Sequence, residues 1–426
     1  MAEGWLETQL GEHIDLTTGF AFRSKDFTTS CVRLARGDNV NRGQFEWGDK
    51  AKYWPAVTPE LAQYCLEEGD VLIGMDGSRV GENWARVKKE DLPSLLVQRV
   101  ARLRGKNSLD QGFLWYLIAN TEFVSFVKAN ATGTSIPHIS GPQIRRFPIL
   151  LPDIGVQKAI VSILDSLDTK IELNRQTAKT LEETARALFR SWFVDFDPVY
   201  AKAEGRETGL PADIADLFPD AFDADSLPSG WQPTPACDLA ELARDGVEPS
   251  ELDPQSPYVG LDSMPKRQLG LTNWGEASEV TSVKTRFSSG DLLFGKLRPY
   301  FHKVVVAPCD GICSSDIFVF RSKNSGHRHF MYLAFSQDEF VEAASGASTG
   351  TRMPRADWKF MRGIEFVTAP PQVMAAFENI AGSLIDPVVK QHGETRALTE
   401  LRDTLLPKLI SGELRIPEAE EAVAAA

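Results

Sequence analysis

Apolar residues recur at alternating steps of four and three along the middle of the chain: Ile160, Leu164, Leu167, Ile171, then Ala178, Leu181, Ala185, Leu188 and Trp192. Asn174 fills the one gap. This heptad seam runs over more than four heptads and predicts a long helix with a helical partner. Adding 217 residues gives Phe377, Ala381, Leu384, Val388, then Thr395, Leu398, Arg402, Leu405 and Leu409, with Gln391 where Asn174 falls. A polar seam residue fixes register and partner choice at some cost in stability. The matched Asn174 and Gln391 therefore predict that the two helices pair with each other. Pro387 is expected to kink or interrupt the second one.

The same offset recurs upstream. Glu122-Phe123-Val124 returns as Glu339-Phe340-Val341, Thr132-Gly133-Thr134 as Thr349-Gly350-Thr351, and Pro137 as Pro354. Gly69–Gly74 (GDVLIG) returns as Gly290–Gly295 (GDLLFG), at an offset of 221. Several matches in one order mark an internal duplication. Each copy reads as mixed α/β. Val71–Gly74, Leu292–Gly295, Val97–Leu103 and Ile317–Phe320 are expected strands; Phe113–Lys128 and His329–Ala344 are expected short helices. Composition shifts place boundaries at 1–152, 153–193, 194–227, 228–370, 371–412 and 413–426. The fourth of these is the second copy of the first, and 153–193 and 371–412 are the long helices. Segment 194–227 is acidic and rich in Pro and Gly, a connector; the tail is expected to fray.

Charge changes the picture in one respect. The net charge of the 426 residues is −13. Segment 1–152 is net 0 and 228–370 net −2, while 153–227 is net −7 and 371–426 net −4. A uniformly basic coat is excluded, but the two larger segments can each present a basic face. The acidic ones suit protein contacts better than DNA. No apolar run reaches the ~18 residues of a membrane span, the N-terminus has no signal-peptide pattern, and five cysteines suit a cytoplasmic protein without a disulfide framework.

The two copies with their helix segments, Ile163–Asn174, Leu188–Val199 and Leu405–Leu414, resemble the DNA-specificity (S) subunits of type I restriction-modification enzymes. The resemblance covers nearly the whole chain, although Pro371 lacks the Glu-Gln pair often following at that point. It implies an α+β fold: two tandem mixed α/β target-recognition domains, each followed by a long helix, the helices pairing as an antiparallel coiled coil with pseudo-twofold symmetry. It implies a non-catalytic subunit whose domains each read one half of a bipartite, asymmetric site in double-stranded DNA. Its partners would be two methyltransferase subunits, which bind S-adenosylmethionine and methylate adenine N6, and ATP- and Mg-dependent restriction subunits. No cofactor or metal is expected in this chain. A coiled-coil scaffold that joins proteins without reading DNA is the rival reading.

Motifs for chemistry are incomplete. Asp197-Pro198-Val199-Tyr200 is one residue short of an adenine-methyltransferase loop. Pro152-Asp153 with Asp168-Thr169-Lys170 imitates a nuclease pattern, but its second part falls in the heptad helix. Gly270 and Gly275 have P-loop spacing, but Glu276 and Ala277 follow where Lys and Ser/Thr belong. Cys309 and Cys313 with His327 and His329 have loose zinc spacing that the first copy lacks.

DNA readout needs side chains that reach base edges from a frame held on phosphates. The candidate loops follow the Gly-Asp strands: Asp76, Ser78 and Arg79 in one copy, Lys296, Arg298 and Tyr300 in the other. Beside them come the Thr-Gly-Thr loops, with Thr132, Thr134, Ser135 and His138, and with Thr349, Thr351, Arg352 and Arg355. The helix seam residues expected to matter for spacing are Ile160, Leu164, Leu167, Ile171, Asn174, Leu181 and Leu188, against Leu384, Val388, Gln391, Leu398 and Leu405. From Ile160 to Trp192 the seam spans about 50 Å at 1.5 Å per residue, more than one turn of B-DNA.

Overall fold

The computed structural model describes residues 4–133, 135–347 and 353–424. The chain divides into two compact units: unit 1 is Met1–Thr169 with Thr399–Ala426, and unit 2 is Lys170–Leu398.

Both units are built on one antiparallel four-stranded sheet of the same order. In unit 1 the strands run Ile14–Thr18, Val100–Gly105, Val71–Gly74, Trp84–Arg86. In unit 2 they run Ala240–Leu242, Ile317–Ser322, Leu292–Gly295, Val304–Val306. The central strands Val71–Gly74 and Leu292–Gly295 are buried throughout, as their unbroken apolar runs require. Each is launched by the same turn. Gly69 and Gly290 take φ of +88° and +85°, which a side chain would strain. The buried Asp70 and Asp291 then accept from Glu67 N–H and Ser288 N–H, both at 2.8 Å. Each carboxylate also pairs with two guanidinium nitrogens, of Arg104 at 2.5 and 2.9 Å and of Arg321 at 2.9 and 2.8 Å.

Each unit is tied by its first strand to the strand before a long helix: Leu6–Gln9 with Pro148–Leu151, and Gln232–Pro235 with Glu365–Thr368. The secondary sheets differ. Unit 1 has a three-stranded one built on Val32–Ala35; unit 2 has a five-stranded one built on Lys284–Phe287 and Gly311–Cys313.

The long helices are Ile154–Phe193 and Pro371–Ile410, each of 40 residues. Asp153 caps the first, its Oδ1 accepting from Gly155 and Val156 N–H. Within each unit the two helices pair antiparallel. In unit 1 Arg402 reaches Asp168 at 2.8 Å. In unit 2 Lys170 pairs with Glu394 at 2.7 Å, and Phe189, Trp192 and Phe193 surround Phe377. Pro387 does not interrupt the second helix. Proline removes one backbone donor, and the apolar seam around it, Ile385 and Val388, is fully buried.

Several sequence expectations need correction. Ile160, Leu164, Leu167, Ile171, Ala178, Ala185 and Trp192 are buried as the heptad predicts, but Leu181 and Leu188 are only half-buried; Glu182, Phe189 and Phe193 join the inner face beside them. A 3.6-residue helix drifts off a strict 3.5 repeat. Glu182 is drawn in by Arg186 at 2.9 Å and by Leu269 N–H at 2.9 Å. On the second helix Leu384 likewise yields to Ile385, while Val388, Leu398 and Leu405 are buried. The pairing expected from the polar seam residues holds, with Asn174 donating to Glu394 of the second helix at 3.1 Å. Each expected short helix is two: Gln111–Ile118 then Thr121–Asn130, and Arg328–Phe335 then Asp338–Gly346. Asn120 caps the new start in the first pair, and in the second the Ser336 carbonyl accepts from Arg186 and faces His302. The strand expected from Val97 starts at Val100, because Val97–Arg99 form a turn with Arg99 at φ +66°. The connector 194–227 is packed against the core: Phe218 lies edge-on to Trp192 at 4.8 Å, and Phe196 to Trp231 at 5.9 Å. The tail forms the helix Ile416–Ala424 with Ala419 buried.

Candidate nucleic-acid interface

Each central strand ends in a glycine, and the next residues leave the sheet into a loop held by a second loop. In unit 1 Met75 N–H donates to Arg99 O at 2.8 Å, Ile139 N–H to Met75 O at 2.8 Å, and Gly77 N–H to Pro137 O at 3.1 Å. In unit 2 Lys296 N–H donates to Asp316 O at 2.9 Å, Ala356 N–H to Lys296 O at 2.8 Å, and Arg298 N–H to Pro354 O at 2.7 Å. These three bonds define one frame. They equate Met75 with Lys296, Gly77 with Arg298, Arg99 with Asp316, and His138 with Arg355.

The strand-end loop and the Thr-Gly-Thr loop therefore meet, as two separate parts of the sequence that form one surface. Asp76 bridges to His138, and Leu297 to Arg355, as isolated antiparallel pairs. Thr132 and His138 exchange backbone bonds at 2.8 Å each way, and Thr132 Oγ1 lies 3.1 Å from His138 Nε2. Gly133 turns the loop at φ +95°. Ser78, Arg79, Ser135 and His138 are exposed. Thr134, Thr349, Thr351 and Arg352 lie outside the described residues.

The side chains on the frame differ between units. In unit 1 Asp76 Oδ2 accepts from Arg99 Nη1 at 2.6 Å, and Arg79 Nη1 donates to Asn41 Oδ1 at 3.1 Å. In unit 2 Arg355 pairs with Asp316 at 3.0 Å, and Lys296 Nζ sits 5.1 Å from the Phe318 ring centroid. Arg298 takes φ +52° and projects into solvent beside the exposed Tyr300, whose ring meets Phe301 edge-on at 4.8 Å. Arg99 and Asp316 were not among the sequence candidates. Each immediately precedes a strand of the four-stranded sheet, Val100–Gly105 or Ile317–Ser322, a boundary that the sequence does not mark for Arg99.

The motifs with imitation chemistry are placed elsewhere. Asp168 accepts from Tyr116 and Arg402, and Lys170 is paired with Glu394. Burial, and then Asp168 and Asp165, push the Tyr116 hydroxyl far above the ordinary phenol range, so it is a fixed donor. Asp197 and Pro198 open the helix Asp197–Ala203, with Val199 in the core. Cys313 is buried among apolar residues, which pushes its thiol up to about 12. His329 is held by Glu378 at 2.8 Å and Asp386 at 2.9 Å. Among the described residues no group of three His, Cys, Asp or Glu side chains could hold a metal ion, and no helix is long and apolar enough to cross a membrane.

Unit 1 also has an open cavity of about 580 Å³ between its sheet, its helices and the second long helix, lined by Trp84, Trp115, Tyr116 and Arg402. Glu82 on its rim bonds Lys128 and lies 2.9 Å from Arg42. The Lys128 bond, with Arg42 adding to it, holds the Glu82 carboxyl below the usual carboxylate range.

Comparison with known proteins adds relatives to this geometry. The family model for the type I restriction modification DNA specificity domain matches residues 3–183. The specificity subunit of the type I restriction enzyme HindI from Haemophilus influenzae is 26% identical over 412 residues, covering 84% of this chain and 89% of that protein. The EcoDI specificity subunit from Escherichia coli is 25% identical over 431 residues, covering 96% and 88%. The crystal structure of the S subunit of a type I restriction-modification system from M. genitalium superposes with a TM-score of 0.62 over 96% of each chain, at 15% identity, a likeness of fold.

Proposed function

We propose that this chain, like the specificity subunits of type I restriction-modification enzymes it is similar to, recognises DNA sequence, and that units 1 and 2 each read one half of a bipartite, asymmetric site in double-stranded DNA. The observation that carries the reading is the repeated frame: the same three backbone bonds in both units, presenting different exposed side chains. A duplicated reader with unlike reading residues suits two unlike half-sites. Base edges are told apart by such side chains: Arg and Lys pair with guanine, and Asp accepts from cytosine. The exposed hydroxyls of Thr132 and Ser135 suit phosphate oxygens.

The catalytic work falls to partners. The carboxylates and lysine that imitate a nuclease are spent on helix pairing, and the methyltransferase-like Asp-Pro opens a packed helix. Two methyltransferase subunits would supply S-adenosylmethionine chemistry on adenine N6, and restriction subunits would supply ATP- and Mg-dependent cleavage. The two long helices would set the separation between half-sites and offer the acidic surface to these partners. The domain scheme is 1–152 and 228–370 as readers, with 153–193 and 371–412 as spacers.

Genome-wide mapping of adenine methylation in cells with and without this gene, in the presence of its methyltransferase, tests the reading. The expected result is a methylated motif of two short fixed blocks separated by unspecified bases, lost with the gene. Methylation that is unchanged when the gene is removed contradicts it and favours the scaffold reading.

A further inference from the structure

We propose that Arg99 in unit 1 and Arg355 in unit 2 are specificity-determining residues that each read a guanine, one per half-site, with Asp76 and Asp316 as the positioning residues that aim them. The proposal rests on the DNA-reading role above and assigns its residues.

In the shared frame, residue 99 is equivalent to 316, because their carbonyls accept from Met75 and Lys296, and residue 138 is equivalent to 355. Both units place one Arg–Asp pair on this frame, but with the charges exchanged. In unit 1 the guanidinium comes from the residue before the sheet strand and the carboxylate from the strand-end loop. In unit 2 the carboxylate comes from the residue before the sheet strand and the guanidinium from the second loop. Two different routes thus deliver the same device.

Exposure shows which partner faces outward. The Arg99 and Arg355 side chains are 68% and 56% exposed, against 22% for Asp76 and 24% for Asp316. The carboxylate is the inner member and holds one terminal nitrogen, at 2.6 Å in unit 1 and 3.0 Å in unit 2. An ion pair this exposed contributes little to stability. Its effect is to fix a long side chain, which lowers the entropy lost on binding. The guanidinium has five N–H donors in a planar fork, so donors remain for O6 and N7 of guanine. Arg99 is further held by its left-handed backbone, φ +66°, an unusual conformation for a side chain of this length.

The test uses the full chain with its methyltransferase and a library of DNA duplexes carrying randomised base pairs. Wild-type protein should enrich a two-block motif containing a guanine in each block; no enrichment at all would defeat the DNA-reading role itself. Arg99→Lys retains the charge and the phosphate affinity but loses the fork. It should lower the preference for guanine at one position of one block by roughly tenfold to hundredfold and leave the other block unchanged. Arg355→Lys should do the same in the other block only. Asp76→Asn and Asp316→Asn should weaken the same single positions about tenfold or less, with thermal unfolding unchanged. A wild-type motif with an unaltered base profile in both lysine variants, or a uniform loss across all sequences, overturns the proposal while leaving the DNA-reading role intact.

Discussion

Strands Val71–Gly74 and Leu292–Gly295 leave their sheets through matching backbone bonds, yet matching positions on the loops they feed carry different side chains. Asp76 stands where Leu297 does, Gly77 where Arg298 does, and His138 where Arg355 does. Beneath the loops the reverse holds: Asp70–Arg104 and Asp291–Arg321 are the same pair, a buried carboxylate held by a partly exposed guanidinium, each supporting the same turn. The lesson is a division of labour. Buried groups that satisfy a turn cannot change without loss of the strand, whereas exposed groups on a fixed backbone can change freely and so can encode different sequences.

The units also differ in how their helices are packed, and this gives the largest expected effect. Phe377 is fully buried in unit 2 against Phe189, Trp192 and Phe193; its repeat counterpart in unit 1 is Ile160. Phe377→Ala should destabilise unit 2 by about 3–5 kcal/mol. Hydrogen exchange should show faster opening of strands Leu292–Gly295 and Ile317–Ser322, with Val71–Gly74 still protected.

Unit 2 should also respond to pH through His392. Burial, with Arg175 nearby, lowers its pKa to about 4. The unfolded chain takes up this proton near pH 6.5 and the folded chain only near 4. Between those values the unfolded state binds more protons, so unit 2 gains stability as pH rises from 4 to 6.5, by roughly 3 kcal/mol in all. His329 acts in the opposite sense. Burial lowers its pKa, but the bonds to Glu378 and Asp386 outweigh that and raise it. Its contribution is complete below pH 6.5 and is lost as pH rises through the raised value. His392→Leu should flatten the acid limb of a denaturation-against-pH profile, and His329→Gln the limb above it.

The shared turns give the next effect. Breaking a buried ion pair costs about 3–5 kcal/mol, but Arg104 and Arg321 are partly in water, so about 2 kcal/mol is expected for Asp70→Ala and for Asp291→Ala. Chemical denaturation should give similar losses for both, and a large difference would break the equivalence of the two frames. The smallest effect is at the helix pair: Asn174→Ala removes one hydrogen bond to Glu394, worth about 1 kcal/mol.

Legibility in the sequence follows the same division. The two central strands are legible because a Gly-Asp turn precedes an apolar run, and the long helices because the heptads are sustained. After Ala178 the inner face is legible only in part: Ala185 and Trp192 are buried as the heptad has them, but Glu182 is buried through a partner distant in sequence, Leu269 N–H. The break at Ser336 depends on Arg186, 150 residues away. Arg99 and Asp316 escape notice because a repeat is found by likeness, and these two are opposite in charge. The meeting of the strand-end and Thr-Gly-Thr loops is likewise a property of the fold, reached only once the backbone bonds are known.

The central claim is that one frame in each unit reads one half-site. The most direct test is equilibrium binding of the full chain with its methyltransferase to its target duplex and to duplexes altered in one block at a time, for wild type and for Lys296→Ala with Arg298→Ala. The account predicts a loss of roughly tenfold to hundredfold on the target, with discrimination falling only for changes in the block read by unit 2. Equal loss of discrimination in both blocks, or an equal loss of affinity for every duplex, would contradict it.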